Sequence, residues 1–308
     1  MTDKILVVGA GGFIGRKLTR ALAMRGEQVI AASRSDGELA GANVELLPGA
    51  LRVPEDFVPL VRRSRVVVYL ASSSTPGSSA GRPLQDVTGN LGPLAALLQA
   101  LQDHAGVDLI YLSSGGSLYA PAGDCMSNES MPVRPLSYHG AGKIAAEYFI
   151  SAWCAQYSRK ATIVRPSNVY GPGQFERAGF GIVPAAMSKI QHNETLHVWG
   201  DGSVVRDYLY IDDLVRLIML ILAMPMPNGA RVVNACSGEG VSLNELFAVL
   251  RTVTGAPLSC SYETGRSVDV SRVVMDPTFA KREYGFSAAV SLHEGLKQTW
   301  AWLNGITH

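Results

Sequence analysis

"KILVVGAGGFIGRKLTRALAMR" (Lys4–Arg25) is the stretch whose reading decides the fold. Ile5–Val8 is a continuous apolar run with the length of a buried strand, and Phe13–Arg25 repeats apolar residues at helical spacing. Between them Gly9, Gly12 and Gly15 form a GxxGxxG turn. Glycine lets the chain turn sharply off the strand and lets the backbone approach a pyrophosphate. That group then meets the outward N–H groups of the first helical turn, at Phe13 and Ile14. Glycines are common at turns, but a strand before and a helix after are the setting that dinucleotide binding requires.

The same alternation continues outward. "EQVIAAS" (27–33), "RVVVYLA" (65–71), "VDLIYLSS" (107–114) and "ATIVRPS" (161–167) read as strands, with helices expected over about 90–102 and 140–157. This predicts an α/β fold, a doubly wound parallel sheet with helices on both faces. Beyond Gly171 the pattern breaks into Gly- and Pro-rich loops, helices near 212–223, 242–254 and 291–303, and the strand "RVVNACS" (231–237). The expected organisation is a dinucleotide-binding domain over 1–170, with part of 207–236 threaded back into it, and a smaller interleaved α/β substrate lobe over 171–308.

Bulk composition narrows the function classes. The 308 residues are 47% hydrophobic and 17% charged, with a formal net charge of +1. Such a balance gives no electrostatic case for nucleic acid or a membrane surface. Cys125, Cys154, Cys236 and Cys260 are far apart and lack a CxxC pair, so neither a metal site nor a disulfide framework is expected. The run "LVRLIMLILAM" (214–224) carries Arg216 and is too short to span a bilayer. A strand so near Met1 leaves no room for a signal peptide. The expectation is a cytoplasmic protein with reduced thiols.

The end of the second strand faces the adenine ribose in such a fold, and an acid there bonds the 2′-hydroxyl and repels a 2′-phosphate. Ser33 and Arg34 stand there instead. A hydroxyl followed by a guanidinium suits a phosphate, which favours NADP over NAD, although Arg34 stacked on adenine or facing solvent reads equally as NAD. Arg16 on the first helical turn fits either.

Together "GAGGFIG" (9–15), "YLASSSTPGSS" (69–79), "YLSSGGSLY" (111–119), "RPSNVYGPGQ" (165–174), "VWGDGSVVRDYLYIDDL" (198–214), "NACSGEGVSLNEL" (234–246) and "GRSVDVSRVVMDPTFAKREYGF" (265–286) run in order along the chain. The whole resembles the extended short-chain dehydrogenase/reductase family, in its NAD-dependent epimerase/dehydratase branch of nucleotide-sugar enzymes with a Rossmann-type fold. The resemblance implies that Leu70, Ala71 and Asn90 lie along the cofactor with the glycine turn. It implies that Lys143 bonds the nicotinamide ribose and tunes a neighbouring acid/base. It places Asn168, Arg206 and Arg266 at the diphosphate of a nucleotide-diphosphate sugar, with Asp269 near the nucleoside. It also implies a homodimer packed through the helix carrying Lys143, where Ile144, Ala145, Phe149, Ile150 and Trp153 fit a partner or a core equally well.

The chain departs from that pattern at the chemistry itself. Aligned on Lys143, the catalytic tyrosine position holds His139, and the one nearby tyrosine, Tyr138, stands a residue too early. Aligned on Tyr119, the catalytic Ser/Thr position holds Gly115, leaving Ser114 and Ser117 as the nearest hydroxyls, and Ala50 replaces an acid after the third strand. His139 and Lys143 share a helix face at i, i+4, whereas Tyr138 lies about 140° from Lys143 on a regular helix. Three functions remain open: a nucleotide-sugar epimerase acting at C4 by transient oxidation, an NADPH-dependent keto-sugar nucleotide reductase, and a sugar-nucleotide binder with impaired catalysis.

Overall fold

The computed structural model describes residues 3–34, 39, 41–75, 77–120, 123, 125–177, 180–265 and 270–306. The chain divides into two compact units. One comprises Met1–Ser114, Ser137–Arg165 and Val215–Val233, and the other Gly115–Leu136, Pro166–Leu214 and Asn234–His308.

The first six strands are β1 (Lys4–Val8), β2 (Val29–Ser33), β3 (Val44–Pro48), β4 (Ser64–Tyr69), β5 (Asp108–Leu112) and β6 (Lys160–Pro166). With β10 (Gly229–Ala235) they form a seven-stranded sheet in the order β10-β6-β5-β4-β1-β2-β3. The pairings of β1 with β2 and β4, β2 with β3, and β5 with β4 and β6 are all parallel. The order reverses between β1 and β4, which is the switch point where such sheets place a ligand beyond the strand ends. The expected α/β Rossmann-type sheet is therefore the observed one.

Helices α1 (Phe13–Met24), α2 (Pro54–Val61), α3 (Pro83–Asp86), α4 (Gly92–Leu101) and α5 (Tyr138–Tyr157) belong to this unit. Strand residues Leu6, Ile30, Val67, Leu109 and Ile163 share one core with Phe57 of α2, Leu97 and Leu101 of α4, and Ile150 and Trp153 of α5. Strands covered on both faces explain the unbroken apolar runs in the sequence. Ile150 and Trp153 thus belong to the core, while Tyr148 and Phe149 are exposed.

Two helix starts differ from expectation. α5 begins at Tyr138 because the Ser137 side chain caps it, accepting the N–H of Gly140 at 3.1 Å. The helix expected from Asn90 is preceded by α3 and a wide π-type turn over Val87–Leu91, which carries Asn90 before α4 begins. Such a turn inserts a residue and shifts the apolar phase, but the four residues of α3 before it are too few to set that phase, so periodicity does not register it.

In the other unit, β7 (Asn168–Tyr170), β9 (Val205–Tyr210), β11 (Gly240–Ser242) and β13 (Arg272–Val273) form a four-stranded sheet around β9. β8 (Leu196–Trp199) and β12 (Cys260–Glu263) pair in parallel as a separate ribbon. Helices α6 (Ile182–His192), α8 (Leu243–Thr254), α9 (Thr278–Tyr284) and α10 (Leu292–Ile306) lie in this unit, and α7 (Ile211–Ala223) begins in it. None of the described helices is long and apolar enough to cross a membrane.

Candidate active site

The glycine turn is built for close backbone approach. Gly9 has φ +90°, and a Cβ there would sit 2.8 Å from the backbone N of Ala71. A Cβ on Gly15 would sit 2.2 Å from the carbonyl oxygen of Gly9 and 2.7 Å from the Cα of Ala10. Gly15 therefore excludes a side chain for a reason internal to the turn, and Gly9 does so through its positive φ and its contact with the end of β4. Gly12 is the N-cap of α1, offers no side-chain cap, and no acid stands in the first turn. The first amides of α1, Phe13 and Ile14 among them, have no capping carboxylate or hydroxyl to compete with an anion. These features fit a dinucleotide pyrophosphate. Arg16 is held back on the turn, donating from Nε to the carbonyl of Gly11 at 2.9 Å.

At the end of β2 the side chain of Ser33 is buried, and its carbonyl accepts the N–H of Gly49 at 2.8 Å. Arg34 is exposed beside it, with no ion-pair partner among the described residues. Ala50, where an acid was expected, is exposed and brings no charge near Arg34.

Across the sheet, Leu70 continues β4, donating its N–H to the carbonyl of Val8 at 2.9 Å, and leads into Ala71 and the serine run. Asn90 reaches back to that run. Its Oδ1 accepts from the N–H of Ser73 at 2.7 Å, and its Nδ2 donates to the Oγ of Ser74 at 2.7 Å and to Asp86 Oδ1 at 2.9 Å.

On α5, His139 and Lys143 are both buried, one turn apart, whereas the side chain of Tyr138 is 49% exposed. Because the helix begins at Tyr138, that residue keeps its regular position five before Lys143, about 140° round the helix. Lys143 donates from Nζ to the carbonyl of Leu112 at 2.8 Å and stands 4.9 Å from the centroid of the Tyr111 ring. Burial lowers its pKa to about 8, against the opposing pull of Asp86 and Glu147. Burial, aided by the Lys143 cation and opposed by Asp86, lowers the pKa of His139 to about 4. At neutral pH this face of α5 therefore carries a neutral imidazole beside an ammonium.

Three groups not singled out in the sequence complete this cluster. Asp86 is buried, and its Oδ1 accepts from the Ser74 hydroxyl, which lies 3.0 Å from Nδ1 of His139. Glu147 is also buried and accepts from Ser113 Oγ at 2.5 Å and from both Nε and Nη2 of Arg165 at 3.0 and 2.6 Å. Spacing held a signal for two of them. Asp86 stands four before Asn90, and Glu147 extends the His139–Lys143 series by another four. Ser74 lay unmarked within the "YLASSSTPGSS" run.

In the other unit, Gly115 has no room for the expected Ser or Thr. A Cβ there would meet Met275 Sδ at 2.2 Å and the carbonyl oxygen of Pro166 at 3.0 Å. Met275 is fully buried, clustered with Tyr119 and Cys236. Ser117 follows the glycine pair half-buried, and Asn168 donates from Nδ2 to the carbonyl of Asp207 at 2.9 Å. Arg206 lies on β9, its Nη1 bonded to the carbonyl of Val205 at 2.8 Å. Ser114 closes the first unit, half-buried after β5. Arg266 and Asp269 lie outside the described residues.

Sheet order, switch point and glycine turn define the class: an α/β protein of the Rossmann type. Within that class the chain belongs to the NAD dependent epimerase/dehydratase family, whose model matches residues 5–236. It is 29% identical over 309 residues to a UDP-glucose 4-epimerase of Mycolicibacterium smegmatis, covering 96% of this chain and 97% of that one. The solved structure of a UDP-glucose 4-epimerase with UDP-glucose from Thermotoga maritima is 30% identical, with a TM-score of 0.92, and covers 99% of this chain and 100% of that one. MoeE5 in complex with UDP-glucuronic acid and NAD is 27% identical, with a TM-score of 0.90 and coverage of 98% and 99%.

Proposed function

We propose that the protein is a nucleotide-sugar 4-epimerase in which His139 replaces the usual tyrosine as acid/base. The observation that carries this reading is the buried, neutral imidazole of His139 one turn before Lys143. Bound NAD or NADP supplies the hydride acceptor and, after the sugar turns over, the donor. His139 takes the proton of the sugar hydroxyl as the carbon is oxidised, and returns it when the carbon is reduced from the other face. Lys143, cationic below about pH 8, favours the deprotonated oxygen and orients the nicotinamide ribose. The glycine turn holds the pyrophosphate, and Asn168, Arg206, Arg266 and Asp269 are assigned to the nucleoside diphosphate of the substrate. A homodimer is part of the same reading, with exposed Tyr148 and Phe149 on α5 as its apolar contacts.

In a closed cycle the proton that His139 returns is the one it has just taken, so the ring need not be charged at the start. Its low pKa makes it a weak base for the first step, where the Lys143 cation favours the deprotonated oxygen. A stand-alone reductase must instead load the imidazolium from solvent, and at pH 7 only about one His139 in a thousand carries that charge. Exposed Arg34 argues the other way, since a 2′-phosphate cofactor belongs to the reducing pool. Arg34→Glu therefore accompanies the test.

The test is conversion of UDP-glucose to UDP-galactose with added NAD or NADP, followed by chromatography. The expected result is turnover that His139→Gln lowers by about 10²-fold or more, the range of a lost general acid/base. NADPH consumption with a 4-keto-sugar nucleotide and no epimerisation would overturn it in favour of the reductase. Tight cofactor binding with neither reaction would leave the sugar-nucleotide binder.

A further inference from the structure

We infer that Asp86 and Ser74 fix His139 as its Nδ1–H tautomer, so that Nε2 is the atom presented to substrate. The inference deepens the acid/base reading of His139 and rests on it for its consequence in turnover. The tautomer itself follows from a proton count.

The amide of Asn90 sets the count. Its Oδ1 faces the backbone N–H of Ser73 at 2.7 Å, and a backbone N–H can only donate. The opposite end, Nδ2, must therefore donate, and it does so to Ser74 Oγ at 2.7 Å and to Asp86 Oδ1 at 2.9 Å. The carboxylate of Asp86 only accepts, so the single hydroxyl proton of Ser74 goes to Asp86 Oδ1. Ser74 Oγ is left with lone pairs alone. One takes the Asn90 donor, and the other faces Nδ1 of His139 at 3.0 Å. That contact is a hydrogen bond only if Nδ1 carries the proton. A neutral ring protonated at Nδ1 has its lone pair on Nε2, which has no hydrogen-bond partner among the described residues.

Two further features hold the arrangement in place. The backbone N–H of His139 donates to Ser79 Oγ at 3.2 Å, tying the start of α5 to the same serine-rich loop. Asp86 reaches α5 only because residue 142 is glycine, where a Cβ would stand 2.2 Å from Asp86 Oδ2. The charged groups near the ring are thus Asp86, which favours the imidazolium, and Lys143, which opposes it. Asp86 and Ser74 are positioning residues, acting through the ring and not on the substrate.

The experiment is a long-range ¹H–¹⁵N correlation spectrum of the uniformly ¹⁵N-labelled protein near neutral pH. The His139 ring is assigned by its loss in His139→Gln. A proton on Nδ1 and a bare Nε2 are expected, and a proton on Nε2 overturns the inference. Asp86→Ala supplies the second arm. With no acceptor at Oδ1, the Ser74 hydroxyl proton is free for His139 Nδ1, and the ring should flip to the Nε2–H form. A ring that stays Nδ1–H in this variant overturns the role given to Asp86. Ser74→Ala, if Asp86→Ala does not fold, removes the acceptor and should bring in the Nε2–H form; an unchanged ring overturns the role of Ser74. Turnover in either variant should fall about 10-fold or more with KM nearly unchanged, because the wrong nitrogen is bare. The spectra need no turnover. An Nδ1–H ring that flips on substitution, in a protein that converts no substrate, sustains the tautomer assignment and sinks only the acid/base reading.

Discussion

Burying His139 as a neutral ring makes folding stability depend on pH in a window that this side chain alone defines. Its pKa is about 4 in the folded protein, against the ordinary 6.5 expected when the chain is unfolded. Between these values the unfolded chain binds a proton that the folded chain refuses, so stability rises with pH across the window and is full above 6.5. Each pH unit is about 1.4 kcal/mol. Moving from about pH 7 to about pH 4.5 should therefore remove about 2 to 3 kcal/mol through His139. His139→Gln removes the titration and keeps a polar side chain. Urea unfolding of both proteins at the two pH values, followed by far-ultraviolet circular dichroism, isolates the difference. Carboxylates and other histidines titrate in both proteins and cancel, and Lys143 stays cationic throughout because its pKa is near 8. The native protein should lose about 2 to 3 kcal/mol more than the variant. Losses equal within about 0.5 kcal/mol would refute the buried neutral ring, as additive independent sites agree to that margin.

Gly15→Ala places a methyl 2.2 Å from the Gly9 carbonyl, a clash with backbone that no rotamer relieves, so a loss of about 3 kcal/mol and of dinucleotide binding is expected by thermal melting and fluorescence titration. Glu147→Ala leaves the Arg165 guanidinium buried without its carboxylate and should cost about 3–5 kcal/mol in urea unfolding. Gly115→Ser should cost about 1–3 kcal/mol because Met275 occupies the space. Combined with Met275→Ala it should cost less than the two single changes together, by at least about 0.5 kcal/mol; strict additivity would show that the methionine is not the obstacle.

Which features the sequence made legible follows a physical rule. Apolar periodicity reports burial, so the parallel sheet and α1 stood in the order of residues, whereas the apolar residues of α5 fitted a partner or a core equally well until the fold separated buried Ile150 and Trp153 from exposed Phe149. The glycine turn was legible for a different reason. The constraint on Gly15 lies between residues six apart, Gly9 and Gly15, and needs no distant partner to be understood, although Gly9 also packs against Ala71. The π-type turn at Asn90 escaped because the four residues of α3 before it are too few to set an apolar phase against which the insertion would show.

The unusual residues of the site divide along the same line. That His139 stands where a tyrosine was expected, sharing a helix face with Lys143, is determined by the sequence, since four residues along a helix are neighbours wherever it packs. Which charge state the ring holds was decided by tertiary structure, because desolvation depends on what surrounds the helix. Ser74 and His139 are 65 residues apart, yet folding places the Ser74 hydroxyl between Asp86 and Nδ1 of the ring. Gly115 read alone is a missing hydroxyl; the fold shows the space filled by Met275 from far along the chain. Local patterns carry the fold and the cofactor turn because their causes lie within a few residues, whereas protonation and fit arise from groups that only folding brings together.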